Sequence, residues 1–128
     1  MRRKLGDRQG TVYSLVRLGL VLLSRGKGGA AELREALELG LEAGGVSLIL
    51  DALSACAVYL SQKGKEKEAQ RLAACVLSHP NADREAKERV EPLLRSKTFT
   101  HLQPEDPQEL AQKLLAAFPT DPSPWIET

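Results

Sequence analysis

Residues 61–74 read SQKGKEKEAQRLAA. Three lysines gathered around Gly64 suit two readings: a basic loop that seeks phosphate, or a turn between two helices with its charges in water. A phosphate cradle needs glycines, or other residues that free backbone N–H groups, ahead of a Lys-Ser/Thr pair at a strand-to-helix junction. The related stretch RGKGG at 25–29 has the glycines, but no strand pattern precedes it and no Ser/Thr comes after its lysine. Both stretches sit between helical patterns, so the turn reading is preferred.

Working outward, residues 46–62 are apolar nearly all round through Val46, Ile49, Leu50, Leu53, Cys56, Val58 and Leu60, which predicts a helix covered on several sides. Residues 11–24, TVYSLVRLGLVLLS, carry Val12, Leu15, Val16, Leu18, Leu22 and Leu23 at helical spacing and predict another. Sliding the chain along itself until Gly6 meets Gly44 also superposes Leu15 on Leu53, Leu22 on Leu60, Gly26 on Gly64, Lys27 on Lys65 and Ala31 on Ala69. The same shift sets Gly19 on Ala57, two small residues that let a neighbouring helix approach. Ala31 and Ala69 are expected where the paired helices cross. Two helices within one such period mean stacked helical hairpins.

The remaining helices are expected over 30–43, 65–77, a stretch capped by Asn81 through ADREAKERVEPLLR, and DPQELAQKLLAAF from Asp106. In the fifth, Asp83–Lys87, Glu85–Arg89 and Glu91–Arg95 have the acid first at i, i+4, and Pro92 loosens the last turn. In the sixth, Asp106, Pro107 and Glu109 form a helix-start signature. The tail PTDPSPWIET is expected to be extended.

The motifs L-x-x-L-G-x-x-L-x-x-x-G-x-x-x-x-A over 15–31 and L-x-x-C-A-x-x-L-x-x-x-G-x-x-x-x-A over 53–69 resemble tetratricopeptide repeats. The lead-in LGDRQGTVYSLVRLG looks like the longer-spaced form at the C-terminal ends of bacterial signalling ATPases and transcriptional activators. AACVLSHPNADREAKERVEPLL resembles the closing segment of such arrays, and RRKLGD looks like the end of a preceding repeat's second helix. The likeness spans about residues 5–95; Glu35 departs from it, standing where the second helix usually carries a large apolar side chain. It implies an all-α helical-hairpin solenoid, an α-α superhelix of two repeats with a capping helix over 1–95. The loop, C-terminal helix and Pro-rich tail over 96–128 pack on that domain or extend from it.

It also implies that the first helix of each pair lines a groove for a partner's peptide or helix. The residues expected there are Tyr13, Val16, Arg17 and Leu20 from the first repeat, and Asp51, Ser54, Val58 and Ser61 from the second. The competing reading covers these apolar positions with the chain's own C-terminal helix or with Trp125 and Ile126. That terminal pair could equally pack on a second copy to give a homodimer.

Bulk properties narrow the classes. The 128 residues suffice for one domain with a core, and net charge +1 creates no global field for nucleic acid or an acidic membrane. MRRK at the start and Arg8 leave a nucleic-acid-associated regulator as the alternative reading. Cys56 and Cys75 sit inside apolar periodic segments and are expected as buried thiols in a cytoplasmic protein without a membrane span. His79 is expected to pack locally or to cap the fourth helix; His101 lies in the irregular loop. Cys75 with His79 is the one legible start of a metal site and lacks further ligands at defined spacing. With no Ser/His/Asp set and no enclosed carboxylate pair, a non-enzyme is expected, with no cofactor. A single Asn among many Glu, Lys and Arg is compatible with a heat-adapted source.

Overall fold

The computed structural model describes residues 5–94 and 106–117, the side chains of 5–8 and 117 excepted. The described residues form six α-helices and no strand: α1 Leu5–Ser24, α2 Ala30–Ala43, α3 Val46–Gln62, α4 Glu66–Ser78, α5 Arg84–Leu94 and α6 Pro107–Ala117. The fold is all-α, as the aliphatic periodicity indicates. The expected loop around His101, the Trp125 tail and the MRRK start lie outside the described residues.

Helix α1 begins earlier than the periodicity from Thr11 suggests. It runs unbroken through Gly6 and Gly10, so Leu5, Gly6 and Asp7, the described part of RRKLGD, belong to α1 and not to the end of a separate helix. A Cβ at Gly10 would meet nothing within 4 Å, so close packing is not what keeps this glycine.

Helix α1 packs on α2, α3 on α4, α2 on α3 and α4 on α5. The alternate helices α1 and α3, then α3 and α5, also touch, while α6 lies against α2, α3 and α4. This places α3 at the centre: Leu48, Ile49, Leu50, Leu53, Cys56, Tyr59 and Leu60 are all buried. Burial alone pushes the Cys56 thiol up to about 12, and chiefly burial raises the Tyr59 hydroxyl to about the same value. Cys56 and Cys75 are both buried and neither forms a disulfide.

The internal repeat is visible in the hydrogen bonds that end α1 and α3. Gly26 and Gly64 adopt φ of 70° and 83°, the left-handed region glycine enters without a Cβ penalty. Beyond them the Lys27 N–H donates to the Leu22 carbonyl at 2.8 Å, and the Lys65 N–H to the Leu60 carbonyl at 2.9 Å. The same closure thus occurs twice, one period apart. The start of α5 at Arg84 lies one further period beyond the start of α3 at Val46, so α5 is a third member of the series.

After Lys27 the relation breaks. Residues 25–29 connect α1 to α2, but only 63–65 connect α3 to α4, so Gly28 and Gly29 are an insertion. The buried face of α2, Leu33, Ala36, Leu37 and Gly40, therefore matches Ala69, Leu72, Ala73 and Val76 at a correspondingly shorter shift. Ala31 is exposed, contrary to the expectation that it pairs with Ala69; Leu33 holds the equivalent place. The apparent departure at Glu35 has the same cause. At the corrected shift it matches Arg71, and both face outward.

The hairpin crossing in α1–α2 depends on glycine. A Cβ on Gly19 would stand 2.6 Å from Leu33 Cδ2, and a Cβ on Gly29 would lie against the Gly19 carbonyl oxygen. Gly29 also has φ 102°, so both its dihedral and its surroundings exclude a side chain.

Two helix starts can be compared with expectation. Asp106 caps α6, its carboxylate accepting from the Glu109 N–H at 3.0 Å. The cap of α5 is Asp83 rather than Asn81: Asp83 Oδ1 accepts from the Ala86 N–H at 3.1 Å. Asn81 instead donates its N–H to His79 Nδ1 at 3.0 Å, which ties the turn after α4.

Candidate functional site

Helices α1, α3 and α5 share a face whose polar groups converge. Tyr13 and Arg17 stand one turn apart on α1; Ser47, Asp51 and Ser54 keep the same spacing on α3; Glu85 and Arg89 do so on α5. Tyr13, Asp51 and Arg89 succeed one another at the full repeat interval. Every successive first helix thus contributes from one register position.

Arg89 organises the α3–α5 junction. One of its guanidinium nitrogens donates to Asp51 Oδ1 at 3.0 Å and to Ser54 Oγ at 2.7 Å. Ser54 in turn donates to the Asp51 backbone carbonyl at 2.6 Å. The Arg89 and Asp51 side chains are only 13% and 4% exposed, so this is a buried ion pair. Burial raises the Asp51 carboxyl above its ordinary range, and the adjacent Arg89 opposes that rise only in part.

Toward solvent the pairing loosens. Glu85 lies 3.7 Å from Arg89 and 3.6 Å from Arg17, bridging α1 to α5 through largely exposed side chains. Tyr13 is half-buried and shares a hydrogen bond with Ser47. Its hydroxyl is raised above the ordinary phenol range, first by burial and then by Asp51, Asp83 and Glu85.

The residues expected in a groove fall into two groups. Val16, Asp51 and Ser54 are buried. Arg17 is exposed, and Tyr13, Leu20, Val58 and Ser61 are half-buried. The polar cover over Asp51 and Ser54 comes from α5. Helix α6, the other element expected to cover the face, packs on α2, α3 and α4.

Sequence reasoning does not single out Arg89 and Glu85 as site residues. The available signal is the repeat interval itself, which carries Asp51 to Arg89 and replaces an acid by a base. Elsewhere, Cys75 is buried and His79 Nδ1 is engaged by Asn81. Among the described residues no group of three or more His, Cys, Asp or Glu could hold a metal ion, and no helix is long and apolar enough to cross a membrane.

Comparison of the chain with protein-family models, with curated proteins and with solved structures finds no match.

Proposed function

We infer that this chain is a non-catalytic protein–protein interaction module of a bacterial regulatory system. Its hairpins stack as a tetratricopeptide-like array, and the α1–α3–α5 face takes a peptide or helix of a partner. The observation that carries this reading is the gradient across that face. Its floor is fixed by the buried Arg89–Asp51–Ser54 cluster. Its outer part keeps Tyr13, Arg17, Leu20, Val58, Ser61 and Glu85 at least partly open. A rigid floor with an accessible mixed rim binds a segment without much reordering of the protein. The contact order, each first helix touching the next while each second helix touches the following first, supports the stacked-hairpin part of the reading.

The test is affinity capture from the native lysate, with Tyr13→Ala/Arg17→Glu as the paired control. Both side chains reach solvent and neither belongs to the buried cluster, so the variant keeps its helical circular dichroism. A partner retained by the original chain should be lost by the variant. Equal retention by both would reject this face as the binding surface.

A further inference from the structure

The two terminal nitrogens of Arg89 point to different partners. Nη1 turns inward to Asp51 and Ser54, and Nη2 turns outward to Glu85. Glu85 divides in the same way: Oε2 faces Arg89 at 3.7 Å, and Oε1 faces Arg17 at 3.6 Å. Asp51, Arg89, Glu85 and Arg17 therefore form one chain of alternating charge. It runs from the buried floor on α3, through α5, to the open rim on α1.

The links differ in strength. The inner one is buried and 3.0 Å long, whereas the Arg17 and Glu85 side chains are 65% and 60% exposed. Exposed pairs of this kind are weak and easily exchanged, while a buried charge responds steeply to the loss of its partner. Glu85 also has a second arginine to turn to when Arg17 is taken from it. A group that engages Arg17 thus sends Glu85 toward Arg89 Nη2, in competition with Asp51 for the same guanidinium. Asp51 is the member that can respond, because burial already disfavours its charge. Asp83, in the turn before α5, and Glu85 disfavour that charge further, and Tyr13 of α1 feels the same carboxylate. None of these groups comes from α2, α4 or α6.

We propose that Asp51, Arg89, Glu85 and Arg17 are a relay that couples engagement of Arg17 at the rim to protonation of Asp51 in the floor. Whatever takes Arg17 from Glu85 raises the proton affinity of Asp51. By reciprocity, a neutral Asp51 lets Arg89 hold Glu85 and frees Arg17. The functional consequence, a face whose exposed arginine becomes more available on acidification, rests on the binding role proposed for that face. The relay itself does not.

The test follows the Asp51 carboxyl by carboxyl-carbon NMR titration of the full chain, with no partner present. Arg17→Gln releases Glu85 as an engaging group would, and should move the Asp51 midpoint up by about 0.3 pH unit. Glu85→Gln should move it down, since Arg89 then serves Asp51 without a competing carboxylate. The deciding variant combines the two: with Glu85→Gln in place, Arg17→Gln should shift the midpoint no further. Both side chains are largely exposed, so all three variants keep their helical circular dichroism. A midpoint indifferent to Arg17→Gln, or raised by Glu85→Gln, would overturn the relay. So would an equal shift with and without Glu85, which would mark a direct field from Arg17. Because the titration needs no partner, its failure leaves the binding role of the face to be decided by the capture experiment.

Discussion

The two hairpins, α1–α2 and α3–α4, solve the same packing problem with opposite allocations of side-chain size. In the first, Gly19 yields space to Leu33; at the equivalent places in the second stand Ala57 and Ala69. Along the buried faces of the second helices the trade continues, Ala36 against Leu72, Leu37 against Ala73 and Gly40 against Val76. Volume is conserved across the crossing rather than residue by residue, as expected where cores tolerate compensated exchange. The first hairpin gains its large inward leucines at the expense of a glycine-dependent close approach and a longer turn. The second has a shorter turn and a crossing that needs no residue without a side chain.

The turn length is the sharpest point of difference. Removing Gly28 and Gly29 would give the first hairpin the short turn of the second, but it would force α2 to restart two positions early. Its buried face would then rotate by about 200°. Leu33 and Leu37 would leave the core, so the deletion should destabilise the chain by about 5 kcal/mol or more, measured by urea unfolding. A deletion variant with an unaltered midpoint would break the account of the insertion.

The second hairpin differs also in being closed by α5 through a buried ion pair. Arg89→Met should cost about 3 kcal/mol at neutral pH, because Asp51 keeps its charge in a buried place without its main partner. The pH dependence stems from the raised carboxyl. A group whose folded pKa lies above its unfolded value contributes stability that is present below the unfolded pKa and lost as pH rises through the folded one. The deficit of Arg89→Met should therefore shrink on acidification as Asp51 takes up its proton. A deficit independent of pH from 7 down to about 4 would place the damage elsewhere than in Asp51.

The Gly19–Leu33 trade can be tested by a double-mutant cycle. Gly19→Ala crowds a leucine end and should cost about 2 kcal/mol, and Leu33→Ala should cost about 3 kcal/mol by leaving a cavity. The double variant recreates the Ala57–Ala69 pairing of the second hairpin. It should recover about 1 kcal/mol relative to additivity in thermal or urea unfolding. Strict additivity would show that the crossing distance does not depend on this pair. The smallest effect is expected for inserting two glycines between Lys65 and Glu66. That change only lengthens an exposed turn and should cost under about 1 kcal/mol in the same unfolding assay.

Much of this architecture can be read in the chain before folding. The bounds of α2 and α3 come from glycines beside strongly periodic segments, and the repeated Gly-Lys turn marks the period. What fails to show has identifiable causes. A constant shift conceals an insertion, so Ala31 is matched to Ala69 although the register has moved by two positions. The periodicity from Thr11 leaves out the first residues of α1, which holds Gly6 and Gly10 although glycine lowers helix propensity. Asn81 and Asp83 are both good capping residues two positions apart, and it is Asp83 whose carboxylate accepts from the Ala86 N–H. For the candidate face, Tyr13 and Asp51 are legible as a register. The burial of Asp51 is not, because its partner Arg89 arrives from a helix that looks, in sequence, like a charged solvent-facing cap.

The Arg89 contact also bears on how the chain opens. If α5 frays first, Asp51 and Ser54 lose their shared donor at the same moment, deep against α3. Detachment of α5 thereby loosens the central helix, and the exchange of α3 amides with solvent deuterium becomes tied to events at α5. A helix that would otherwise part by itself acts as a latch on the middle of the protein.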